Sequence, residues 1–92
     1  MPYHEMEDKL SPFTKNQSRA INSLTEELQA IDWYQQRVDV VGNDDLKKIL
    51  EHNRDEEKEH AAMLVEWLRR NDKVFEKALK DWLFTDKPFS HE

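Results

Sequence analysis

Three side chains stand where their chemistry needs explaining: Glu27, Glu57 and His60. Successive residues of a helix fall about 100° apart, so an apolar face recurs every three or four positions. On that spacing Ile21, Leu24, Leu28, Ile31, Tyr34 and Val38 make one stripe, and Glu27 falls inside it. A second stripe runs through Leu46, Ile49, Leu50, Ala61, Leu64, Trp67 and Leu68, with Asn53, Glu57 and His60 in its middle. A carboxylate in an apolar seam costs several kcal/mol unless it is paired or holds a metal. Two accounts fit: a buried Glu–His pair or core histidine that sets register, or a ligand set. Carboxylate oxygens with one imidazole suit Fe(II), Mn(II) or Zn(II). Carboxylates also stabilise the Fe(III) left when oxygen takes electrons, which makes ferroxidase chemistry the expectation.

Punctuation along the chain defines the elements that position these groups. Ser11-Pro12 reads as an N-cap followed by proline at the first helical position. Gly42 is the only internal breaker, and Asn43-Asp44-Asp45 supplies a cap with acidic residues behind it. Arg69-Arg70-Asn71-Asp72 sets cations at a helix end and offers the next cap. The expected fold is all-α: a helix over about 11–40, a second over about 44–70 and a short third over about 72–84. Residues 11–84 thus form a helical hairpin with a short third helix, between a flexible N-terminal tail, 1–10, and a C-terminal tail, 85–92.

Each long helix spans about 40 Å, and two antiparallel helices cannot enclose a core. In di-iron carboxylate bundles two helices each supply a Glu and two others each supply Glu-x-x-His. Glu57-Lys58-Glu59-His60 is one such element and Glu27 is its counterpart, so the chain carries half a di-metal site. A two-fold dimer would complete both the ferritin-like four-helix bundle and the ligand set.

Composition points the same way. Leu, Ile, Val and Phe number 21 of 92 residues, thin material for an independent core. A net charge of −6 without a basic stripe argues against nucleic-acid binding. The absence of cysteine excludes disulfides, zinc fingers and thiolate iron–sulfur sites. No apolar run is long enough for a membrane span or a secretory leader, so a cytoplasmic location is expected.

The same residues carry a family resemblance. Glu26-Glu27-Leu28-Gln29-Ala30-Ile31-Asp32-Trp33-Tyr34, followed by Gln36-Arg37, resembles the first-helix motif of the encapsulated ferritins. His52-Asn53-Arg54-Asp55-Glu56-Glu57-Lys58-Glu59-His60-Ala61-Ala62-Met63, then Glu66-Trp67-Leu68-Arg69-Arg70, is similar to the second. Trp82-Leu83-Phe84-Thr85 echoes the family's C-terminal motif. The resemblance implies a ferroxidase with two irons per dimer, bound by Glu27, Glu57 and His60 of both chains. It further implies a ring of five dimers held inside an encapsulin nanocompartment as cargo of the shell protein. Tyr34 matches a tyrosine close to the metal, where its hydroxyl would bond a ligand. The family places carboxylates at the positions of Glu26 and Gln29 as an outer metal-access site, so Gln29 leaves Glu26 as a weak one. Encapsulated members carry a targeting peptide after a linker, whereas this sequence stops at Pro88-Phe89-Ser90-His91-Glu92. A truncated sequence or another route to a shell is expected.

Among the remaining residues, Trp33 lies on the back of the first helix and reads as an oligomer contact. Asn53 reads as a register residue, His52 as surface, and His4 and His91 as tail residues. Phe75, Leu79, Trp82 and Leu83 are expected to pack on neighbouring subunits. The rival functions are a metal-independent helical adaptor and a di-metal protein that uses manganese.

Overall fold

The computed structural model describes residues 3–90; Pro2 and His91, both read as tail residues, lie outside them. A 3-10 turn at Glu7–Lys9 precedes α1 (Pro12–Val40), α2 (Asp44–Asn71) and α3 (Lys73–Trp82). Each helix starts on the cap its sequence supplies. Ser11 Oγ accepts the Thr14 N–H at 3.1 Å, and Asn43 Oδ1 accepts that of Leu46 at 2.9 Å. Asp72 Oδ1 accepts from both Val74 and Phe75, each at 3.0 Å. These bonds satisfy N–H groups that the first helical turn would leave unpaired.

α3 stops at Trp82, two residues short of the expected Phe84. Leu83 leaves the helical conformation at φ −70° and ψ 141°, and Phe84 just beyond it has φ 59°, left-handed despite its bulky side chain. Beyond it the chain turns back, and Phe89 stacks on Trp82 with ring centroids 5.8 Å apart. Phe75, Leu79 and Trp82, expected to pack on neighbouring subunits, are half-buried within the chain itself. Leu83 and Phe84 are exposed.

α1 and α2 pack as an antiparallel hairpin along a seven-residue repeat. Ala20, Leu24, Glu27, Ile31, Tyr34 and Val38 are the covered positions of α1, and Leu50, Arg54, Glu57, Ala61, Leu64 and Leu68 those of α2. This alternation of three and four is the spacing of a coiled-coil seam. Ala20 and Ala61 are buried on it, and their small side chains permit close backbone approach. The apolar stripes are wider than one partner helix can cover. Ile21, Leu28, Leu46 and Ile49 were expected in the seam but stand exposed on its flank. The radius of gyration is 17.1 Å, against about 12 Å for a compact chain of this length. The hairpin is therefore an open half-bundle, with an apolar flank left for another surface.

Polar bonds brace the hairpin at two levels. Arg54 Nη1 donates to Gln35 Oε1 across the seam at 2.9 Å. Further along, Glu66 accepts from Arg69 and Arg70 at 2.7 Å, and Arg69 reaches Glu76 of α3 at 3.5 Å. The Arg69 and Arg70 bonds pull the Glu66 carboxyl from 4.5 down to about 2.

Two predictions follow from these contacts. Gly42 has no positive φ, and a Cβ there would meet nothing within 4 Å. Gly42→Ala should therefore stabilise the fold by about 0.4–1 kcal/mol through the unfolded chain, read as a raised midpoint in urea. Glu66 is a stronger acid folded than unfolded, so its contribution is complete above pH 4.5 and fades as pH falls toward about 2. Across that window the melting temperature of Glu66→Gln should fall less steeply than that of the wild type. Parallel curves would show that the two arginines contribute no acid-sensitive stability through Glu66.

Candidate metal centre

Glu27 projects from the middle of α1, and Glu57 and His60 from successive turns of α2. The i, i+3 spacing puts the latter two on one helix face, and the antiparallel pairing sets Glu27 opposite them. His60 Nδ1 lies 3.7 Å from Glu27 Oε2 and 3.7 Å from Glu57 Oε2. One ligand atom from each residue falls within 4.8 Å of the other two. At 3.7 Å neither contact is a hydrogen bond. The two His60 separations instead fall in the range of ligand atoms around one ion. Ligands about 2.1 Å from one metal stand roughly 3.0–4.2 Å apart as the angle opens from 90° to 180°.

Burial sharpens the distinction between an ion pair and a ligand set. The Glu27 side chain is only 23% exposed, and its Oε2 is a buried oxygen without a hydrogen-bond partner. An unpaired buried carboxylate oxygen costs more than a neutral polar atom in the same position. A bound cation would remove that cost, so this donor set fits a metal. Two carboxylate oxygens and one imidazole nitrogen would leave an ion held there with further coordination positions. His60, half exposed, forms the open side of the cluster.

The open side is a groove of about 430 Å³ lined by Ser23, Glu27, His60, Met63, Leu64 and Trp67. Leu64 and Trp67 were legible as stripe residues. Ser23 and Met63 were missed, although they stand four residues before Glu27 and three after His60, distances that bring them onto the same helix faces.

Other candidates fall outside the cluster. Tyr34 is half-buried on the same face of α1, about 10 Å along the axis from Glu27. The Arg37 guanidinium lies 5.5 Å from its ring centre. Glu26 and Gln29 are exposed. Asn53 is half-buried near the seam, while His52 is exposed and meets Glu56 at 3.0 Å. Trp33 is 49% exposed on the outer face.

An all-helical hairpin with Glu on one arm and Glu-x-x-His on the other is half of a carboxylate–histidine metal bundle. The chain belongs to the EncFtn-like family, whose model matches residues 2–86. It is 53% identical over 88 residues to a ferritin-like protein of Thermotoga maritima, covering 96% of this chain and 77% of that one. It is 54% identical over 87 residues to an encapsulated ferritin-like protein of Rhodospirillum rubrum, covering 95% of this chain and 62% of that one. An encapsulin nanocompartment cargo protein of Myxococcus xanthus, EncC, is 35% identical over 71 residues, which are 77% of this chain and 55% of that one. The chain thus spans little more than half the length of the last two. Its fold matches the crystal structure of protein ne0167 from Nitrosomonas europaea with a TM-score of 0.92 at 57% identity, covering 99% of this chain and all of that one.

The orphaned oxygen makes a test independent of activity. Glu27→Met keeps the side-chain length and removes the buried charge. In metal-free protein it should raise stability by about 1–3 kcal/mol, measured by chemical denaturation, while metal uptake is lost. A destabilised Glu27→Met would show that the carboxylate already has a satisfying partner in the apo protein.

Proposed function

We propose that this chain is a ferroxidase that oxidises Fe(II) at a di-iron site shared across a two-fold dimer interface. The observation that carries the proposal is the convergence of Glu27 Oε2, Glu57 Oε2 and His60 Nδ1, with the Glu27 oxygen buried and unpartnered. Three donors from one chain leave an ion incompletely coordinated, and the exposed apolar flank calls for a second copy. A two-fold dimer meets both requirements, giving two irons per dimer.

Glu57 and His60 together would hold one iron, with Glu27 bridging to its symmetry mate. Iron is the substrate here: each Fe(II) gives up one electron, and the carboxylates stabilise the Fe(III) produced. Tyr34 supports a ligand through its hydroxyl, and Glu26 is a weak outer access point. Five dimers form a ring inside an encapsulin compartment in the cytoplasm, with the oxidised iron stored within the shell. The cargo role is supported by the names of the Rhodospirillum and Myxococcus relatives. Among the described residues no helix is long and apolar enough to cross a membrane.

Native mass spectrometry of anaerobic protein, before and after Fe(II) addition, tests the shared site. Two irons per dimer are expected, and Glu57→Ala should lose them while keeping the dimer. Oxygen uptake should fall by a factor of at least about 100 in Glu27→Ala, Glu57→Ala and His60→Ala, in keeping with loss of groups that act as a unit. Wild-type rates in all three variants would remove the site assignment. Preferential Mn(II) uptake without oxygen consumption would identify a manganese protein, and an assembly that binds no metal would leave a helical adaptor.

A further inference from the structure

We propose that Met63 is an oxidant trap beside the metal centre, a modification site whose thioether intercepts hydrogen peroxide before it leaves the groove. The inference rests on the ferroxidase reading. Two Fe(II) ions give two electrons to one dioxygen, which with two protons becomes one hydrogen peroxide. Peroxide released there enters a groove lined by Glu27, His60, Met63 and Trp67.

With no cysteine in the chain, a methionine thioether is its softest two-electron reductant. Met63 stands three residues after His60, on the adjoining part of the same α2 face. It also borders a second groove, lined by Glu59, Ala62, Glu66, Trp67 and Arg70, so it stands between the metal centre and the outer face of α2. Met63 is 63% exposed in the hairpin, so its sulfur is open to the groove within the chain.

The chemistry balances without a further reactant. The Met63 sulfur lone pair attacks one peroxide oxygen, and the O–O bond breaks as the S–O bond forms. The departing hydroxide takes the remaining proton and leaves as water, giving methionine sulfoxide. Peroxide consumed there is peroxide that does not reach Trp67, the oxidisable aromatic ring of the same groove.

Met6 supplies an internal control, because its exposure of 62% matches that of Met63 while it precedes α1 in the chain. Bulk oxidant should mark the two alike, or Met6 more if a second subunit covers Met63. Oxidant born at the metal centre should mark Met63 first.

The experiment is aerobic Fe(II) turnover by the full chain with catalase in solution, followed by trypsin digestion and fragment-ion mass spectrometry. His60, Met63 and Trp67 share the tryptic peptide 59–69, in which one sulfoxide adds about 16 Da. Met63 oxidation should exceed that of Met6 several-fold. The excess should vanish in Glu57→Ala, and in iron-free protein given hydrogen peroxide. In Met63→Leu the oxidation should move to Trp67. Normal iron oxidation with Met63 and Met6 equally marked would overturn the trap while leaving the ferroxidase standing. Absence of iron oxidation would overturn both.

Discussion

The hairpin is organised around a carboxylate oxygen that the apo chain leaves unsatisfied. Glu27 Oε2 is buried, unpartnered and 3.7 Å from the nearest imidazole nitrogen. A protein selected only for stability would place an aliphatic residue at this seam position, as the neighbours Leu24 and Ile31 do. Holding three potential ligands together without letting them bond one another keeps room for an ion among them. The cost of that arrangement falls on a chain already poor in core residues, with Ala20, Val38, Ala61 and Leu68 its only buried apolar side chains among those described. Self-sufficiency and a ligand-lined interior compete directly at this size.

Completion by a second copy, as proposed above, would resolve that competition. The seven-residue repeat supplies one seam within the hairpin, while Ile21, Leu28, Leu46 and Ile49 stay uncovered beside it. A four-helix bundle needs both surfaces on every helix, one toward each neighbour. Seen in one chain, the second surface is an exposed apolar flank bordering an ion site with open coordination positions. A dimer that covers the flank also brings a second set of ligands to the groove, so burial and coordination are completed by the same event.

Much of this was legible from residue types and spacing. Ser11, Asn43 and Asp72 each carry a short acceptor side chain just before a periodic stretch, and all three cap as their chemistry dictates. The grouping of Glu27 with Glu57 and His60 followed from helix periodicity and a turn near residue 42. Periodicity could not divide the apolar stripe between a partner within the chain and one outside it, which is why Ile21 and Leu28 were expected in the seam. Gly42 marked the turn as the only internal breaker, and its backbone there is one that any residue adopts. The end of α3 was hidden because nothing in the type of Leu83, which is extended at the cap, or of Phe84, which is left-handed beyond it, announces a break. Met63 escaped notice because an exposed methionine on a helix is ordinary until the groove it borders is known to hold a histidine and a carboxylate.

All three candidate ligands stand on helices rather than loops, and this fixes how precisely the cluster is held. Sliding α1 past α2 by a single residue would displace Glu27 by about 1.5 Å and turn it about 100° relative to His60. The donor cluster would be destroyed long before the hairpin unfolded. Register is therefore a functional quantity as well as a structural one. Near the turn it is held by the Arg54–Gln35 bond, whose two side chains meet across the seam. Along the seam itself, Ala20, Val38, Ala61 and Leu68 are buried, so a shift in register would disturb their packing. Beyond the site, the Glu66–Arg69–Glu76 chain ties α2 to α3 and secures the far end of the ligand-bearing helix. Charged contacts on an exposed surface contribute little to global stability, but here they act on alignment, where a displacement of one residue decides whether three donors converge.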